Sequence, residues 1–282
     1  MKLFAPAKIN LYLRIEGRRD DGYHLLDTLM APISLGDEVE VTGSEGAAGS
    51  ITVRADDPAV PPGEDNTVHR AARAFQDRMD CREPVAVSIR KRIPMGAGLG
   101  GGSTDAAAVL RGMNELFDAG LSAEELEALA LTVGADVPFF IRGAAARARG
   151  IGERLSPAGA LPRLWMVVLF PGFPVSTAWA YRNFRFKLTK PSNNNNLIGN
   201  LSTPQEVARV MANDLEAVTI GRYPGIAHLK QRLDDKGAIG SLMSGSGSAV
   251  FGVFADEARA RRAFTGFRGE KDVRAYLAFS LT

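Results

Sequence analysis

Three groups of residues in this chain have types and spacings suited to handling a phosphorylated ligand. The richest is Pro94-Met95-Gly96-Ala97-Gly98-Leu99-Gly100-Gly101-Gly102-Ser103-Thr104, which runs straight into an alanine-rich helical pattern from Asp105. Residues without side chains let successive backbone N–H groups face one concavity, and the following helix adds its unpaired donors and the positive end of its dipole. Phosphate is the natural guest of such a site. A second loop, Ser244-Gly245-Ser246-Gly247-Ser248, is either a tight hairpin or another source of donors for a phosphorylated ligand. The third group is Lys8 and Asn10, which share one face of an alternating strand, together with Asp136, set between a helix end and the apolar run Val137 to Phe140. An exposed strand cation is the usual fate of a lysine, and capping or closing a turn is the usual work of such an aspartate.

General phosphate-loop patterns do not account for the first group. No lysine follows Gly100, Gly101 or Gly102, so the GxxxxGK[ST] pattern fails. Gly96, Gly98 and Gly101 satisfy GxGxxG, but a dinucleotide fold would place an acidic residue about 20 positions on, at the end of a strand. That region predicts a helix instead: Ser122 and Glu125 form a capping box, Leu121 and Leu126 a hydrophobic staple, Leu126, Leu129, Ala130 and Val133 one face, and Gly134 a stop.

The elements that must hold these groups follow from periodicity. Ile9, Leu11, Leu13 and Ile15 alternate with polar residues as a strand, turning at Asp20-Asp21-Gly22 and returning through Tyr23, His24 and Leu25 toward Ile33. Asp37 to Thr42 and Ser50 to Arg54 read as a second hairpin, Asn66 to Met79 as a helix, and Pro84 to Arg92 as the strand feeding the glycine loop. The helix after that loop runs from Asp105 to Phe117, burying Val109, Leu110, Met113 and Phe117. Ser156 to Pro162 reads as a linker, giving domains 1–156 and 157–282. Beyond it lie a strand from Leu164 to Phe170, a helix opened by the Thr203-Pro204-Gln205-Glu206 capping box and running through Val218, a helix from Ile226 to Leu233, and strands on either side of the serine-glycine loop. The order implies an α+β layer, a small antiparallel sheet covered by helices on one face. The run Asn193 to Asn196 reads as a solvated loop.

Composition narrows the functional class. The 282 residues are 45% hydrophobic and 23% charged with a net charge of +2, so the chain is long enough for two domains, and its scattered basic residues do not imply nucleic acid as a partner. The single cysteine, Cys81, excludes an internal disulfide and makes a cysteine zinc site implausible. No apolar run nears the roughly 20 residues that span a bilayer, and the start MKLFAPAKIN lacks a signal-peptide core, so a cytoplasmic protein without membrane contact is expected. No heptad or large apolar face points to an obligate protein partner.

PAKINLYL at Pro6 to Leu13, PMGAGLGGGSTDAA at Pro94 to Ala107 and SGSGSAVF at Ser244 to Phe251 resemble, in order and spacing, the three motifs of the GHMP kinase superfamily. DGYHLLDTL at Asp21 to Leu29 and GADVPFF at Gly134 to Phe140 are similar to the branch that acts on a cytidine diphosphate-linked methylerythritol in isoprenoid precursor synthesis. The resemblance implies a two-domain architecture, ribosomal-protein-like at the N-terminus and ferredoxin-like at the C-terminus. It implies transfer of the ATP γ-phosphate to the 2-hydroxyl of the erythritol portion, with Mg²⁺ accompanying ATP. Residues Pro94 to Thr104 would hold the ATP phosphates, Asp136 would take the hydroxyl proton, and Lys8 would keep Asp136 ionised and stabilise the nucleophilic oxygen. Tyr23 and His24 would receive the cytidine, with His24 bonded to the cytosine edge and Tyr181 stacked on its other face. Asn10 would touch the erythritol or phosphate, and Ser244, Gly245, Ser246 and Gly247 would close over the transferring phosphate. Another GHMP small-molecule kinase, or a nucleotide-responsive binding protein of the same fold without turnover, are the alternatives.

Overall fold

The computed structural model of the chain describes residues 1–185 and 201–281. These divide into two compact units: one comprises Met1–Ala7, Gly36–Met95 and Gly100–Gly143, and the other comprises Lys8–Leu35, Gly96–Leu99 and the chain from Ala144 onward. Two long neighbouring strands, β1 (Lys2–Arg18) and β2 (His24–Gly43), pass through both. They are joined by the expected Asp20-Asp21-Gly22 turn, where Gly22 adopts φ +89° and the Arg19 N–H donates to the Tyr23 carbonyl at 2.7 Å. Both faces of β1 are covered in its central part. Lys8 is therefore only 5% exposed and Asn10 only 2%, which removes the reading of Lys8 as an ordinary surface cation.

In the first unit, β4 (Val85–Arg90) pairs antiparallel with the Glu38–Gly43 end of β2. β3 (Ile51–Ala55) pairs parallel with β4, so the hairpin expected between 37–42 and 50–54 does not form. The physical reason is α1 (Thr67–Met79), which lies between β3 and β4 in the chain and packs on β3. A helical crossover joins parallel neighbours and buries its apolar face, here Val68, Ala71, Ala72 and Phe75. Asn66 caps this helix by accepting from the Val68 N–H at 2.9 Å.

Helix α2 (Gly101–Leu116) starts four residues before the predicted Asp105 and ends one before Phe117, because Gly101 to Thr104 already take helical geometry. Gly100, in the left-handed region at φ +76°, turns the chain into it. α3 (Ala123–Val133) carries the predicted capping box, and α4 (Val137–Arg142) forms from the apolar run after Asp136. α1 packs on α2, and α3 on α4.

In the second unit, β5 (Ala146–Gly150) pairs antiparallel with Leu26–Met30 of β2 and with β6 (Arg154–Pro157). Ser156 and Pro157, read as the start of a linker, thus close a hairpin instead. β7 (Trp165–Phe170), β9 (Gly240–Met243), β10 (Val250–Phe254) and β11 (Arg274–Phe279) make the expected small antiparallel sheet, in the order β11-β7-β10-β9. Helices α8 (Gly225–Asp235) and α9 (Glu257–Thr265) share one apolar cluster with it, including Leu229, Leu233 and Ala263 against Val167, Leu169 and Val250.

Between these parts lie α5 (Thr177–Asn183), α6 (Pro204–Val210), β8 (Ala212–Asn213) and α7 (Glu216–Arg222). The helix expected to run through Val218 is broken, because Ala212 and Asn213 leave the helical path to pair parallel with Tyr12 and Leu13 of β1. The Asn193 to Asn196 run lies outside the described residues.

Candidate functional site

The second unit brings together the Gly96–Leu99 stretch of the glycine loop, the serine-glycine loop and the Lys8–Asn10 face of β1. Gly96 to Leu99 is pinned by backbone bonds at three of its four residues: the Val175 N–H donates to the Gly96 carbonyl at 2.9 Å, the Ala249 N–H to that of Ala97 at 3.1 Å, and the Lys8 N–H to that of Leu99 at 2.9 Å. The Ser244 hydroxyl donates to the Gly98 carbonyl at 3.0 Å. Gly98 takes φ +78°, and a Cβ built on it would stand 2.1 Å from the Ser244 carbonyl oxygen. Only glycine fits there, for backbone angle and space alike.

Lys8 extends its ammonium to Asn10 Oδ1 at 2.5 Å, and the Asn10 amide donates to Thr28 Oγ1 at 2.9 Å. The Thr28 hydroxyl donates in turn to the Tyr12 carbonyl at 2.6 Å. This chain of bonds fixes the Asn10 amide orientation, which leaves its oxygen facing the lysine. A Cβ on Gly245 would lie 3.4 Å from both Lys8 Nζ and Asn10 Oδ1, so the serine-glycine loop passes directly over this pair. The result is a buried cation, held by Asn10, directly beneath the backbone of the serine-glycine loop.

The serine-glycine loop is held from below by Asn213. Its amide donates to the carbonyls of Met243 at 2.8 Å and Gly245 at 2.7 Å, while its Oδ1 accepts from the Leu215 N–H at 3.0 Å. The Thr219 hydroxyl donates to the Ser246 carbonyl at 3.2 Å, and the Thr177 and Ser246 hydroxyls meet at 3.0 Å. Asn213, Thr28, Thr177 and Thr219 escaped the sequence reading. Asn213 was hidden inside a presumed helix, and isolated threonines carry no local pattern.

An aromatic group stands in the same unit. The His24 ring lies 5.3 Å from that of Tyr181, centroid to centroid, and 6.1 Å from Phe184, to which it is nearly perpendicular. Burial, with the Arg18 cation adding to it, lowers the His24 pKa from its ordinary value, so the imidazole is neutral at pH 7. Tyr23, its neighbour, is 60% exposed and takes no part in this group. Phe184 was not anticipated, since a lone phenylalanine after a short helix has no distinguishing pattern.

The first unit carries the rest of the anticipated residues. Pro94, Met95 and Gly100 to Thr104 belong to it, and the first turn of α2 offers the N–H groups of Gly101, Gly102 and Ser103, which have no carbonyl four residues back in the helix to bond. Asp136 is half-buried at the N-cap position of α4, yet its side chain makes no capping hydrogen bond, so capping is not its role. Below the start of α2, Lys91, Asp37 and Asp105 form a buried charged cluster that the sequence reading did not single out. Among the described residues no helix is long and apolar enough to cross a membrane.

Family models agree with this architecture. The model of the GHMP kinases N terminal domain matches residues 66–144, and that of the GHMP kinases C terminal matches 197–271. A 4-diphosphocytidyl-2-C-methyl-D-erythritol kinase of Citrifermentans bemidjiense is 46% identical over 93% of this chain and 92% of its own. One of Geobacter metallireducens is 46% identical over 96% of this chain and 95% of its own. A crystal structure of a 4-(cytidine 5'-diphospho)-2C-methyl-D-erythritol kinase superposes with a TM-score of 0.81 at 39% identity, covering 100% of both chains. Homoserine kinase from Cytophaga hutchinsonii shares the fold, with a TM-score of 0.78 at 20% identity over 100% of this chain and 94% of its own. The chain belongs to the GHMP kinases and, within them, to the family of 4-diphosphocytidyl-2-C-methyl-D-erythritol kinases.

Proposed function

We propose that this chain uses ATP to phosphorylate the 2-hydroxyl of 4-diphosphocytidyl-2-C-methyl-D-erythritol, a step of isoprenoid precursor synthesis outside the mevalonate route. The observation that carries the reading is the convergence of Lys8, Asn10, Gly98 and Gly245 in the second unit, coupled with relatives of that name along nearly the whole chain. In the reaction the bond from the γ-phosphorus to the bridging oxygen breaks, the acceptor oxygen bonds to phosphorus, and ADP leaves.

Such a transfer needs alignment and neutralised charge more than covalent help. The backbone donors of residues 94–104 and the dipole of α2 hold the ATP phosphates. Lys8 offsets the charge growing on the acceptor and transferring oxygens, and Asn10 fixes the direction of its ammonium. Asp136 takes the hydroxyl proton, a role worth roughly 10²–10⁴-fold in rate for a general base. Ser244 to Gly247 close over the transferring phosphate. The cytosine enters beside His24, Tyr23 and Tyr181, where neutral imidazole reads its edge and an aromatic ring covers its face. Residues 1–156 supply most of the nucleotide site and 157–282 the closing loop, in a protein of the cytoplasm that needs no partner chain.

Mg²⁺ comes with ATP as the counter-ion of its phosphates. It would call on no more than one or two protein oxygens and would neutralise phosphate charge.

The test is ADP release from the purified protein with ATP, Mg²⁺ and each of four alcohols: the cytidylyl substrate, homoserine, mevalonate and galactose. Turnover is expected with the first alone, and Asp136→Asn is expected to abolish it. Turnover with another alcohol overturns the substrate assignment, and silence with all four would favour a nucleotide-binding protein without catalysis.

A further inference from the structure

Beneath the first turn of α2 lies a charged cluster with no part in the chemistry above. Lys91, just past the end of β4, donates from Nζ to Asp37 Oδ2 on β2 at 2.5 Å and to Asp105 Oδ2 on α2 at 2.7 Å. The side chains are 5%, 0% and 3% exposed in that order. Asp37 uses its other oxygen to accept from the N–H groups of Arg92 at 2.5 Å and Ile93 at 2.8 Å, the two residues leading into the glycine loop. Asp105 Oδ1 is buried with no hydrogen-bond partner among the described residues. A Cβ built on Gly101, the first residue of α2, would lie 3.4 Å from Lys91 Nζ and 3.2 Å from an Ile93 methyl.

One ammonium thus ties together the strand that enters the loop, the backbone of its first residues and the helix that leaves it. We propose that Lys91 and Asp105 are positioning residues for ATP: with Asp37 they fix the distance between the entry of the glycine loop and the first turn of α2, and so the aim of the N–H donors of Gly101, Gly102 and Ser103. This rests on the reading of residues 94–104 as the site of the ATP phosphates.

The charge balance of the cluster suits that work. Two carboxylates against one ammonium would leave a net negative charge buried under donors meant for an anion. Burial pushes the Asp105 carboxyl up to about 7, with Lys91 opposing and Asp37 adding to the rise, so near neutrality the cluster readily carries a proton and approaches zero net charge.

Lys91→Met, Asp105→Leu and Asp105→Asn should be compared with wild type by steady-state kinetics with each substrate varied in turn, by calorimetric titration with ADP, and by thermal melting. In Lys91→Met and Asp105→Leu the KM for ATP and the Kd for ADP are expected to rise about tenfold or more. Over the same series kcat should stay within about threefold and the KM for the cytidylyl substrate within about twofold. Asp105→Asn keeps an oxygen for Lys91 without the charge and is expected to retain wild-type nucleotide affinity. A merely structural cluster would lower the fraction of folded enzyme, hence kcat and melting temperature, with both nucleotide constants unchanged, and that result would overturn the proposal. ADP binding by wild type that is unaltered in all three variants would sink it equally, while absence of nucleotide binding by wild type would remove the loop reading beneath it.

Discussion

Gly98 and Ser244 meet backbone to backbone: the Ser244 hydroxyl donates to the Gly98 carbonyl at 3.0 Å, and a methyl on Gly98 would stand 2.1 Å from the Ser244 carbonyl oxygen. Two loops 146 positions apart in sequence are thereby held in register within one unit. Within that unit neither the Gly96–Leu99 stretch nor the serine-glycine loop can shift without the other.

Gly98→Ala tests that coupling. The new methyl forces the loops apart, and φ +78° adds strain of about 1–2 kcal/mol for a residue with a Cβ. A misplacement of about 1 Å is expected to lower kcat/KM roughly 100-fold. Steady-state assays on folded protein, checked by circular dichroism, would settle it; activity within a few-fold of wild type would show that the contact is not needed.

Lys8 places a buried ammonium against Asn10 and under the serine-glycine loop. Lys8→Met preserves the buried stem and removes the charge beside Asn10 and Gly245, so kcat should fall by roughly 100-fold or more. Lys8→Arg should not restore it, because a planar guanidinium is bulkier than the ammonium that is buried against Asn10 Oδ1 and under Gly245. Near-normal turnover in the arginine variant would show that charge alone, without placement, suffices.

The loops of the candidate site were legible as local composition, runs of glycine and serine, and a D-G turn fixes a hairpin locally. The α+β order and the small C-terminal sheet followed from periodicity. What stayed hidden depends on distant partners. The parallel pairing of β3 with β4 is decided by the burial of α1, not by the short turn after Gly43. Asn213 looked helical until β1 drew it into a strand pair, where its amide grips Met243 and Gly245. Lys91, Asp37 and Asp105 are spread over 69 positions of sequence, and nothing in their local surroundings announces a shared ammonium.

His24 gives the cytidine end a pH signature. Its pKa is lowered from the ordinary imidazole value by burial, then by Arg18, so the neutral ring persists at pH 7 and protonation sets in only below that value. If the neutral ring reads cytosine, the KM for the cytidylyl substrate should be flat from pH 8 to pH 7 and rise as pH falls toward 5. The KM for ATP should lack this limb, and His24→Gln should lose it. A wild-type limb that survives in His24→Gln would assign the titration to another group.

Asp105 should leave a mark on stability with the opposite sign. Its carboxyl titrates at about 7 in the folded chain against an ordinary 3.8, with burial the main cause. Between those values the folded state binds more protons than the unfolded one, so stability falls as pH rises. The contribution is fully present below about pH 4 and is lost as pH climbs through 7. Asp105→Asn has no proton to lose, so its unfolding free energy should vary less between pH 5 and pH 8, and its advantage over wild type should widen toward pH 8. Urea unfolding of both proteins at the two pH values measures this directly. Parallel pH dependences would mean that Asp105 is ionised across the range, and that Lys91 balances two charged carboxylates instead of one.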